Sequence, residues 1–473
     1  MICLADVIEA LTGIKPENAS KEFTEVGIDS RQVIPGSLFI ALPGERADGH
    51  DFIADVFDKG AYVALVQKDL SASFPLIDLR TPDISLKDST FDVPLCLLVD
   101  DCLSAMQKIA GFWRRKLSLR VIGITGSVGK STTKELTAEV LSRRFRTLKN
   151  PGNMNNEIGL PLTLLHLTEA HECAVLEMGF YVPGEISFLC ELALPQIGVV
   201  TNIGTVHAER AGTQEDIARG KAELIHALPP APEGTAILNY DDSLVRPMAE
   251  LTNANIFYYG LDPEADLWAD QVEGLGLEGI RFRLHYRNET LHLKVPLIGR
   301  HSVHTALRAT AVGLVEGLTW QEIINGLRTE QTQLRLFTVR GLQGSLLLDD
   351  TYNASPESTL AALSLLEELE GHHIAVLGDM LELGIYERRG HEMVGVKAAE
   401  VVDEMITVGQ RARMIAESAK KAGLDENMIT ELEDIDAVVA YLSPRLKEND
   451  VVLIKGSHGM RMDRIVAALE QRT

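Results

Sequence analysis

The sequence predicts an α/β protein of three domains in which a glycine-rich loop opens the central domain. The chain has 473 residues, more than one hydrophobic core usually serves, because single cores stop growing at about 300 residues. Short apolar runs with the length of strands alternate with helical patterns, which is the rhythm of parallel sheets covered by helices. The glycine-rich segment follows one such run directly and precedes a helical pattern, an order that favours a phosphate-binding loop.

Composition and charge restrict the classes of partner. Hydrophobic residues make up 45% of the chain and charged residues 24%, the balance of a globular protein that buries large cores. The 45 Lys and Arg against 68 Asp and Glu give a net charge of −23, and a field of this sign repels nucleic acids and anionic membranes. We therefore expect no nucleic-acid partner, and an anionic substrate needs local cations or helix N-termini.

Cysteine spacing and hydropathy predict a cytoplasmic location. The five cysteines are widely spaced and match neither a CxxC pattern nor a zinc motif, so we interpret them as reduced thiols. The first helical pattern carries Asp6 and Glu9, unlike the basic start of a signal peptide. No apolar run approaches the roughly 18 residues that cross a bilayer. We expect a cytoplasmic protein without membrane insertion.

The predicted domains follow from the order of these runs. Residues 1–100 contain SLFIAL and AYVALV between polar turns such as PGERADGHD, which predicts a small α/β domain. Residues 101–331 begin with a helical pattern and contain the strand-like runs CAVLEM and IGVVTNIG, and the alternation between 255 and 297 predicts antiparallel strands. Residues 332–473 repeat strand and helix four times, with SLLLDD, HIAVLGD, EMITVG and DVVLIKG as the strands.

The glycine-rich segment VIGITGSVGKSTTKE covers residues 121–135. Glycines let backbone N–H groups converge on phosphate oxygens, Lys130 adds a positive charge, and the Ser131 hydroxyl can bind magnesium. The strict GxxxxGK[ST] pattern is missed because Ile124 occupies its first glycine position. Nucleotide-phosphate binding is predicted for Thr125, Gly126, Ser127, Val128, Gly129, Lys130, Ser131 and Thr132. The loop alone leaves a kinase, a GTPase-like switch and a ligase open.

Polar residues near the ends of further predicted strands are candidates for the same site. Glu177 closes CAVLEM, and strand carboxyl ends face the ligand crevice of open α/β sheets. His207 follows the next strand, and Lys221 lies on a helix with an apolar face. Asp350 and Tyr352 follow another strand in DDTYNASPES. Each has an ordinary alternative when taken singly: a solvated edge charge, a loop histidine, a lysine that reaches water, or a turn.

Together these motifs resemble the Mur ligase superfamily of peptidoglycan synthesis. The similarity covers nearly the whole chain, through DSRQVIPGSLFIALPGERADGHDF, GITGSVGKSTTKE, NPGNMNNEIGLPLTLL, DDTYNASPES, VLGDMLELG and LIKGSHGMRM. The segments are most similar to the branch that adds D-alanyl-D-alanine to UDP-N-acetylmuramoyl tripeptide. The resemblance implies a UDP-substrate domain, a central P-loop ATPase domain with a parallel sheet, and a C-terminal Rossmann-like domain.

The activity that this resemblance implies is ATP-dependent amide-bond formation. The γ-phosphoryl group of ATP would activate the tripeptide carboxylate as an acyl phosphate, which the amine of D-alanyl-D-alanine attacks to form the UDP-muramoyl pentapeptide. ATP and Mg²⁺ are the implied cofactors, and a monomer is expected. Cell wall biogenesis, and through it cell shape, cell division and the cell cycle, is the implied role.

The resemblance also implies roles for individual residues. Ser131 and Glu177 would hold one magnesium ion, and His207 with a carbamylated Lys221 the second. A carbamate is an anionic oxygen ligand, whereas an ammonium group beside two magnesium ions would be repelled. The implied γ-phosphate contacts are Lys130 and Arg335; Asn239 would meet adenine, and Asp350 with Tyr352 the ribose. The implied sugar-nucleotide and substrate contacts are Asp29, Ser30, Arg31, Gly44, Glu45, Arg46, Asp48, Asn153, Asn155 and Asn156.

The chain departs from the superfamily pattern at several positions. Ser131 stands where Thr is usual and keeps the hydroxyl. Ser302 and Thr305, in GRHSVHTAL, stand where Asn is usual, so nucleotide contacts there are left open. His458 replaces a common Arg after KGS; Lys455 and Ser457 are carried over by position and His458 is not.

Two other functions fit part of the pattern. One is another Mur-type or folylpolyglutamate ligase, which shares the phosphate loop and the Lys/His pair. The other is a non-catalytic P-loop regulator that binds nucleotide. The first-domain loops, GNMNNEIG and DDTYNASP favour the D-alanyl-D-alanine branch over the former, and the complete set Glu177, His207 and Lys221 argues against the latter.

Overall fold

The computed structural model of the chain describes residues 1–44, 47–80, 91–329 and 337–471. These residues form two compact units. Unit 1 comprises Met1–Gly123, Phe145–Gly179 and Glu185–Gln196, and unit 2 comprises Ile124–Arg144, Phe180–Gly184 and Ile197–Thr473. The division falls inside one strand, directly before the glycine-rich loop. The predicted boundaries near residues 100 and 332 stay predictions.

Helices and strands alternate in much of the described chain, with one run of five strands from β10 to β14. The elements up to the glycine-rich loop are α1 Leu4–Thr12, β1 Val26–Gly27, β2 Leu38–Ile40, α2 Ile53–Asp58, β3 Val63–Val66, β4 Leu76–Asp78, β5 Leu95–Leu98, α3 Cys102–Lys116 and β6 Arg120–Thr125. The next are α4 Lys130–Leu141, β7 Thr147–Lys149, α5 Gly159–Leu165, β8 Cys173–Glu177, α6 Glu185–Ala193, β9 Ile197–Val200, α7 Ala208–Ala211, α8 Gln214–His226, β10 Thr235–Asn239, β11 Asn255–Gly260, β12 Leu267–Gly274, β13 Ile280–Tyr286, β14 Glu289–Val295, α9 Val303–Val315 and α10 Trp320–Leu327. The last are β15 Phe337–Arg340, β16 Leu346–Asp350, α11 Pro356–Glu367, β17 His372–Gly378, α12 Glu387–Val401, β18 Glu404–Val408, α13 Arg413–Lys421, β19 Ile429–Leu432, α14 Ile435–Leu442, β20 Asp450–Lys455 and α15 Asp463–Leu469.

Unit 1 contains a parallel five-stranded sheet in the order β1-β2-β3-β5-β4. Its strands are short apolar runs, and one face packs on a core that includes Phe39, Ile53 and Val56. The strands predicted from SLFIAL and AYVALV are confirmed as β2 and β3. In the same unit β7 pairs parallel with β8, and β8 ends at Glu177 as predicted.

A buried arginine holds the segment that leads into the glycine-rich loop. Arg114, on α3, is only 4% exposed. Its guanidinium donates hydrogen bonds to four backbone carbonyl oxygens, those of Leu117, Leu119, Ala193 and Leu194. These bonds satisfy carbonyls at the end of α3, before β6 and after α6. The segment that enters β6 is therefore fixed by buried polar contacts within unit 1.

In unit 2, strands β9 to β14 lie side by side in the same order as they occur along the chain. A separate six-stranded sheet has the order β15-β16-β20-β17-β18-β19. β9, β10, β11 and β12 pair parallel, whereas β12, β13 and β14 pair antiparallel. The prediction of antiparallel strands from 255 to 297 is therefore wrong for β11, whose two neighbours both run parallel to it. The alternation of apolar and polar residues in β13 and β14 reflects burial of one face of those two strands. It gives no information on the direction in which β11 pairs.

The six-stranded sheet is parallel except for the edge pair β15 and β16. Apolar cores lie on both faces, one including Leu348 and Leu363 and the other Val376 and Ile454. The four predicted strand-helix repeats are confirmed, and so is the α/β class, with three sheets that are rich in parallel pairs. No described helix has both the length and the hydropathy needed to span a membrane.

Candidate active site

The glycine-rich loop of unit 2 connects β6 to α4 in a conformation that requires glycine. Gly126 and Gly129 have φ angles of 142° and 82°, values that residues with a side chain rarely adopt. A Cβ atom on Gly126 would lie 1.8 Å from the hydroxyl oxygen of Thr201. This close approach lets the Thr201 hydroxyl donate to the carbonyl oxygen of Val128, at 2.8 Å.

The segment after β9 holds the loop from one side. Asn202 accepts hydrogen bonds from the backbone N–H groups of Ser127, through its carbonyl oxygen, and of Val128, through its side chain, both at 2.9 Å. The Ser127 hydroxyl in turn accepts from the N–H of Gly204 at 2.8 Å. Residues 201–204 are thus the fixed support of the loop.

Two lysine side chains converge on one carbonyl oxygen in the loop. The Nζ atom of Lys130 lies 2.9 Å from the oxygen of Gly126 and 3.2 Å from that of Ser127. The Nζ atom of Lys221, from α8, lies 3.0 Å from the same Gly126 oxygen. Lys221 is 1% exposed, and the face of Phe180 lies 4.8 Å from its nitrogen.

Burial, and then repulsion from Lys130, hold the pKa of Lys221 well below its ordinary value. Both effects disfavour the charged form. The lowered pKa favours the neutral amine, which is nucleophilic and can react with carbon dioxide, whereas an ammonium group cannot.

His207 stands at the start of α7 with a φ of 68°. Its Nδ1 atom lies 2.7 Å from a carboxylate oxygen of Glu382, and the ring of Tyr181 packs edge-on against it at 4.7 Å. Burial lowers the pKa of His207 to about 4, with Lys130 and Lys221 adding to the decrease and Glu382 opposing it. The neutral ring can donate from Nδ1 to Glu382 and keep a lone pair on Nε2, as histidine ligands of metals do.

Glu177 is buried in unit 1, where asparagines hold it. It is 1% exposed, and one carboxylate oxygen accepts from the Asn155 side chain at 2.8 Å. The Asn150 side chain accepts from the N–H of Glu177 at 2.9 Å and donates to its carbonyl oxygen at 3.1 Å. Asn156 caps the start of α5, accepting from the N–H groups of Ile158 and Gly159. The NPGNMNNE segment thus positions a carboxylate at the end of β8.

The structure pairs two predicted site residues that were treated separately in the sequence. The Nζ atom of Lys455 lies 2.6 Å from a carboxylate oxygen of Asp350 and 2.9 Å from the carbonyl oxygen of Asn353. Tyr352 is 41% exposed, with the His458 ring 6.0 Å away.

Asn239, the predicted adenine contact, is nearly buried at the end of β10. Its side chain donates to the carbonyl oxygen of Thr201 at 3.0 Å and accepts from the N–H of Asp241 at 3.1 Å. Both ends of the amide therefore take part in local structure.

Most predicted first-domain contacts are engaged within unit 1. Arg31 forms a two-point ion pair with Asp29, with the shorter contact at 2.7 Å, and this pair lowers the pKa of Asp29 to about 2. Asp48 lies 2.6 Å from both Nδ1 of His50 and Nζ of Lys68, and these contacts hold its pKa below the usual range. The Ser30 carbonyl oxygen accepts from Lys59, and the Gly44 N–H donates to Ala47. Glu45, Arg46 and Arg335 lie outside the described residues.

Comparison with known proteins assigns the family. Models of the Mur ligase family match residues 22–78 (catalytic domain), 124–313 (middle domain) and 334–458 (glutamate ligase domain). The UDP-N-acetylmuramoyl-tripeptide–D-alanyl-D-alanine ligase of Bacillus subtilis is 36% identical over 448 residues, 94% of this chain and 92% of that protein. The chain belongs to the Mur ligase family.

Solved structures of the same family share the fold of this Mur ligase. MurF from Acinetobacter baumannii matches with a TM-score of 0.82 and 29% identity, over 98% of this chain and 97% of that chain. The MurF ligase from Thermotoga maritima, in complex with ADP, matches with a TM-score of 0.76 and 27% identity, over 97% of each chain.

Glu382 is the site residue of this Mur ligase that sequence reasoning did not identify. It lies in VLGDMLELG, a segment that carried the resemblance without a role for any of its side chains. Glu382 has a φ of 63°, and its carbonyl oxygen accepts from the N–H of Glu209 at 3.1 Å. The left-handed backbone of Glu382, like that of His207, is a conformational signal that the sequence alone does not display.

Gly126→Ala is predicted to weaken nucleotide binding strongly, because the new Cβ would displace Thr201 and open the loop. We expect a loss of ADP affinity of about a hundredfold, equivalent to roughly 3 kcal/mol, in a calorimetric titration of the purified chain. Gly27→Ala is the matched control, since a Cβ there meets no atom within 4 Å. Equal ADP affinity in the two variants would contradict the account of the loop.

Proposed function

We propose that this Mur ligase joins D-alanyl-D-alanine to the terminal carboxylate of UDP-N-acetylmuramoyl tripeptide at the expense of ATP, forming the pentapeptide precursor of peptidoglycan. The observation that carries the proposal is the glycine loop with Lys130 and Lys221 at one carbonyl oxygen. The named activity of the Bacillus subtilis relative and the ADP bound to the Thermotoga maritima structure support it.

The chemistry explains why a phosphate loop belongs in an amide-forming enzyme. A carboxylate is a poor electrophile because its charge opposes nucleophilic attack. Transfer of the γ-phosphoryl group from ATP to a carboxylate oxygen releases ADP and gives an acyl phosphate. The amine then attacks the acyl carbon, loses a proton, and expels phosphate as the C–O bond breaks.

The residues of the loop stabilise the charge of the transferring group. Backbone N–H groups at the start of α4 face the phosphates. Lys130 exchanges its carbonyl contacts for phosphoryl oxygens, where a positive charge lowers the energy of the transition state. Arg335 is proposed as a second γ-phosphate contact. Closure of the C-terminal part over the nucleotide excludes water, which protects the acyl phosphate from hydrolysis.

Two magnesium ions are part of the proposal: Ser131 and Glu177 would hold one, and His207 with a carbamylated Lys221 the second. Among the described residues, no three His, Cys, Asp or Glu side chains form a group that could hold a metal ion. The proposed ligands include just two of these types, Glu177 and His207, with the Ser131 hydroxyl, and Mg²⁺ prefers oxygen ligands. A carbamate on Lys221 adds such oxygens, and the buried amine of low pKa is suited to form one. When bound, magnesium would neutralise phosphate charge.

The remaining predicted contacts are part of the proposal. Asn239 is the proposed adenine contact, and Asp350 with Tyr352 the ribose contact. A monomeric, cytoplasmic enzyme without membrane insertion, acting in cell wall synthesis, stays the prediction. The proposed UDP-substrate contacts are Ser30, Arg31, Gly44, Glu45, Arg46, Asp48, Asn153 and Asn156.

The proposed function predicts that phosphate release from ATP requires both other substrates. Purified enzyme with Mg²⁺ is incubated with UDP-muramoyl tripeptide, with D-alanyl-D-alanine, with both, and with neither. We expect rapid release only with both, together with a product heavier than the tripeptide by one dipeptide less water. Release that ignores both substrates would refute the proposal and favour a P-loop regulator, and release with folate and glutamate would favour the folylpolyglutamate alternative.

Lys221→Ala is predicted to remove most of the activity, and short carboxylates such as acetate are predicted to restore part of it, because they replace the carbamate oxygens. Lys130→Ala is the matched control. That lysine acts through its positive charge, so short carboxylates should not restore the activity of this variant. Independently, ¹³C NMR after equilibration with ¹³C-bicarbonate should show a carbamate carbon that Lys221→Ala lacks. Rescue by an alkylamine, or no carbamate signal in the parent enzyme, would contradict carbamylation.

A further inference from the structure

Arg308 is a buried cation that packs directly on the phosphate loop. It lies on α9 and is 5% exposed. Its Nη2 and Nη1 atoms lie 3.3 and 3.5 Å from the position that a Cβ atom on Gly129 would take. Gly129 is the last residue before α4, so the guanidinium touches the loop where nucleotide phosphates are expected.

The contacts of Arg308 are all with neutral groups. Its Nε atom donates to the carbonyl oxygen of His304 at 3.0 Å, and Nη2 donates to the Thr305 hydroxyl at 2.9 Å. The guanidinium carbon lies 5.8 Å from the centre of the Tyr259 ring. Within the described ranges no carboxylate forms an ion pair with Arg308, and burial lowers its pKa. A buried charge without a counter-charge is strongly unfavourable.

Arg114 shows how this same chain buries an arginine for structural reasons. As described above, its guanidinium donates to four carbonyl oxygens and uses Nε, Nη1 and Nη2. Arg308 is buried to the same extent, yet its guanidinium donates to one carbonyl oxygen and one hydroxyl of its own helix, with the Tyr259 side chain as a further polar neighbour. Arg308 therefore has fewer carbonyl acceptors than Arg114, which leaves N–H groups able to donate to a bound anion.

The surroundings of Arg308 are suited to an anion. Two basic side chains lie at the loop, Lys130 at the Gly126 carbonyl oxygen and Arg308 beside Gly129. On a chain whose net charge is −23, such a local pair of basic groups favours an anion at this place.

We propose that Arg308 binds the diphosphate of the adenine nucleotide at the phosphate loop. The proposal rests on the proposed function in one respect, namely that a nucleotide occupies the loop.

The proposal also accounts for Ser302 and Thr305 in GRHSVHTAL, which stand where the family usually has Asn. The Thr305 hydroxyl accepts from Arg308, and the Ser302 hydroxyl donates to the carbonyl oxygen of Ile298 at 2.6 Å. Both hydroxyls are thus engaged with the protein, and the nucleotide contact passes to Arg308.

The test compares ADP affinity with the stability of the ligand-free protein. Full-length Arg308→Met keeps most of the bulk of the side chain and removes its charge. Arg308→Lys keeps the charge but replaces the three-nitrogen guanidinium by a single ammonium group. ADP is titrated calorimetrically, and thermal unfolding is followed without ligand. We expect Arg308→Met to weaken ADP binding about tenfold to hundredfold, the usual effect of losing charge-assisted hydrogen bonds, and Arg308→Lys to weaken it less. The melting temperature of ligand-free Arg308→Met should equal or exceed that of the parent.

Arg300→Met is the matched control, because Arg300 begins the same segment and its side chain is 64% exposed beside Glu368. It should bind ADP like the parent. If Arg308→Met also binds ADP like the parent, while Lys130→Ala does not, the Arg308 proposal fails and the proposed function stands. If the parent chain itself does not bind ADP, both fail. A lower melting temperature of Arg308→Met with unchanged ADP affinity, or failure of both Arg308 variants to fold, would assign Arg308 a structural role instead.

Discussion

The backbone carbonyl oxygen of Gly126 accepts hydrogen bonds from two lysine side chains, and the candidate site in unit 2 is arranged around it. Two lysine nitrogens approach it within 3.0 Å, one from the loop and one from α8. Burial, and then repulsion from Lys130, hold the pKa of Lys221 well below its ordinary value, and both effects favour the neutral amine. The same arrangement keeps Lys130 folded back on the loop. The lysine proposed to bind phosphate and the lysine proposed to be carbamylated thus share one acceptor atom.

Hydrogen bonds from neighbouring residues hold the loop in the conformation in which the Gly126 carbonyl oxygen faces both lysine nitrogens. Thr201 and Asn202 fix it from the end of β9, and the next residues are tied to the C-terminal part of unit 2. Thr205 donates its N–H to Glu357 at 3.1 Å, and His207 pairs with Glu382. The elements after β15 therefore reach the loop through residues 201–207, which gives a physical route for coupling nucleotide binding to the C-terminal sheet.

Strand ends were predictable from the sequence because apolar runs and the polar residue that ends them are local. Glu177 and Asp350 lie at the carboxyl ends of β8 and β16 as expected. The approach of Lys221 to Gly126 joins residues 95 positions apart, and no local pattern reports such a distance. The pairings of His207 with Glu382 and of Asp350 with Lys455 were missed for the same reason.

Other features depend on packing that only coordinates reveal. Arg308 lies on a helix among small and apolar residues, whereas Arg114 adjoins Arg115 and Lys116 at the end of its helix. Neither pattern shows what surrounds the guanidinium in the fold. Their contrast comes from four carbonyl oxygens around one and a glycine loop beside the other. The parallel pairing of β11 could not be predicted from its residues either. Pairing direction depends on the connection between two strands and not on the pattern of apolar residues within them.

Transfer of isotopic oxygen to phosphate tests most directly whether the enzyme activates a carboxylate at the phosphate loop. UDP-muramoyl tripeptide with ¹⁸O in its terminal carboxylate is turned over with ATP, Mg²⁺ and D-alanyl-D-alanine, and the released phosphate is examined by mass spectrometry. An acyl phosphate intermediate predicts that one ¹⁸O atom appears in each phosphate, because the bridging oxygen leaves with phosphorus. Phosphate without ¹⁸O, accompanied by amide product, would contradict the account.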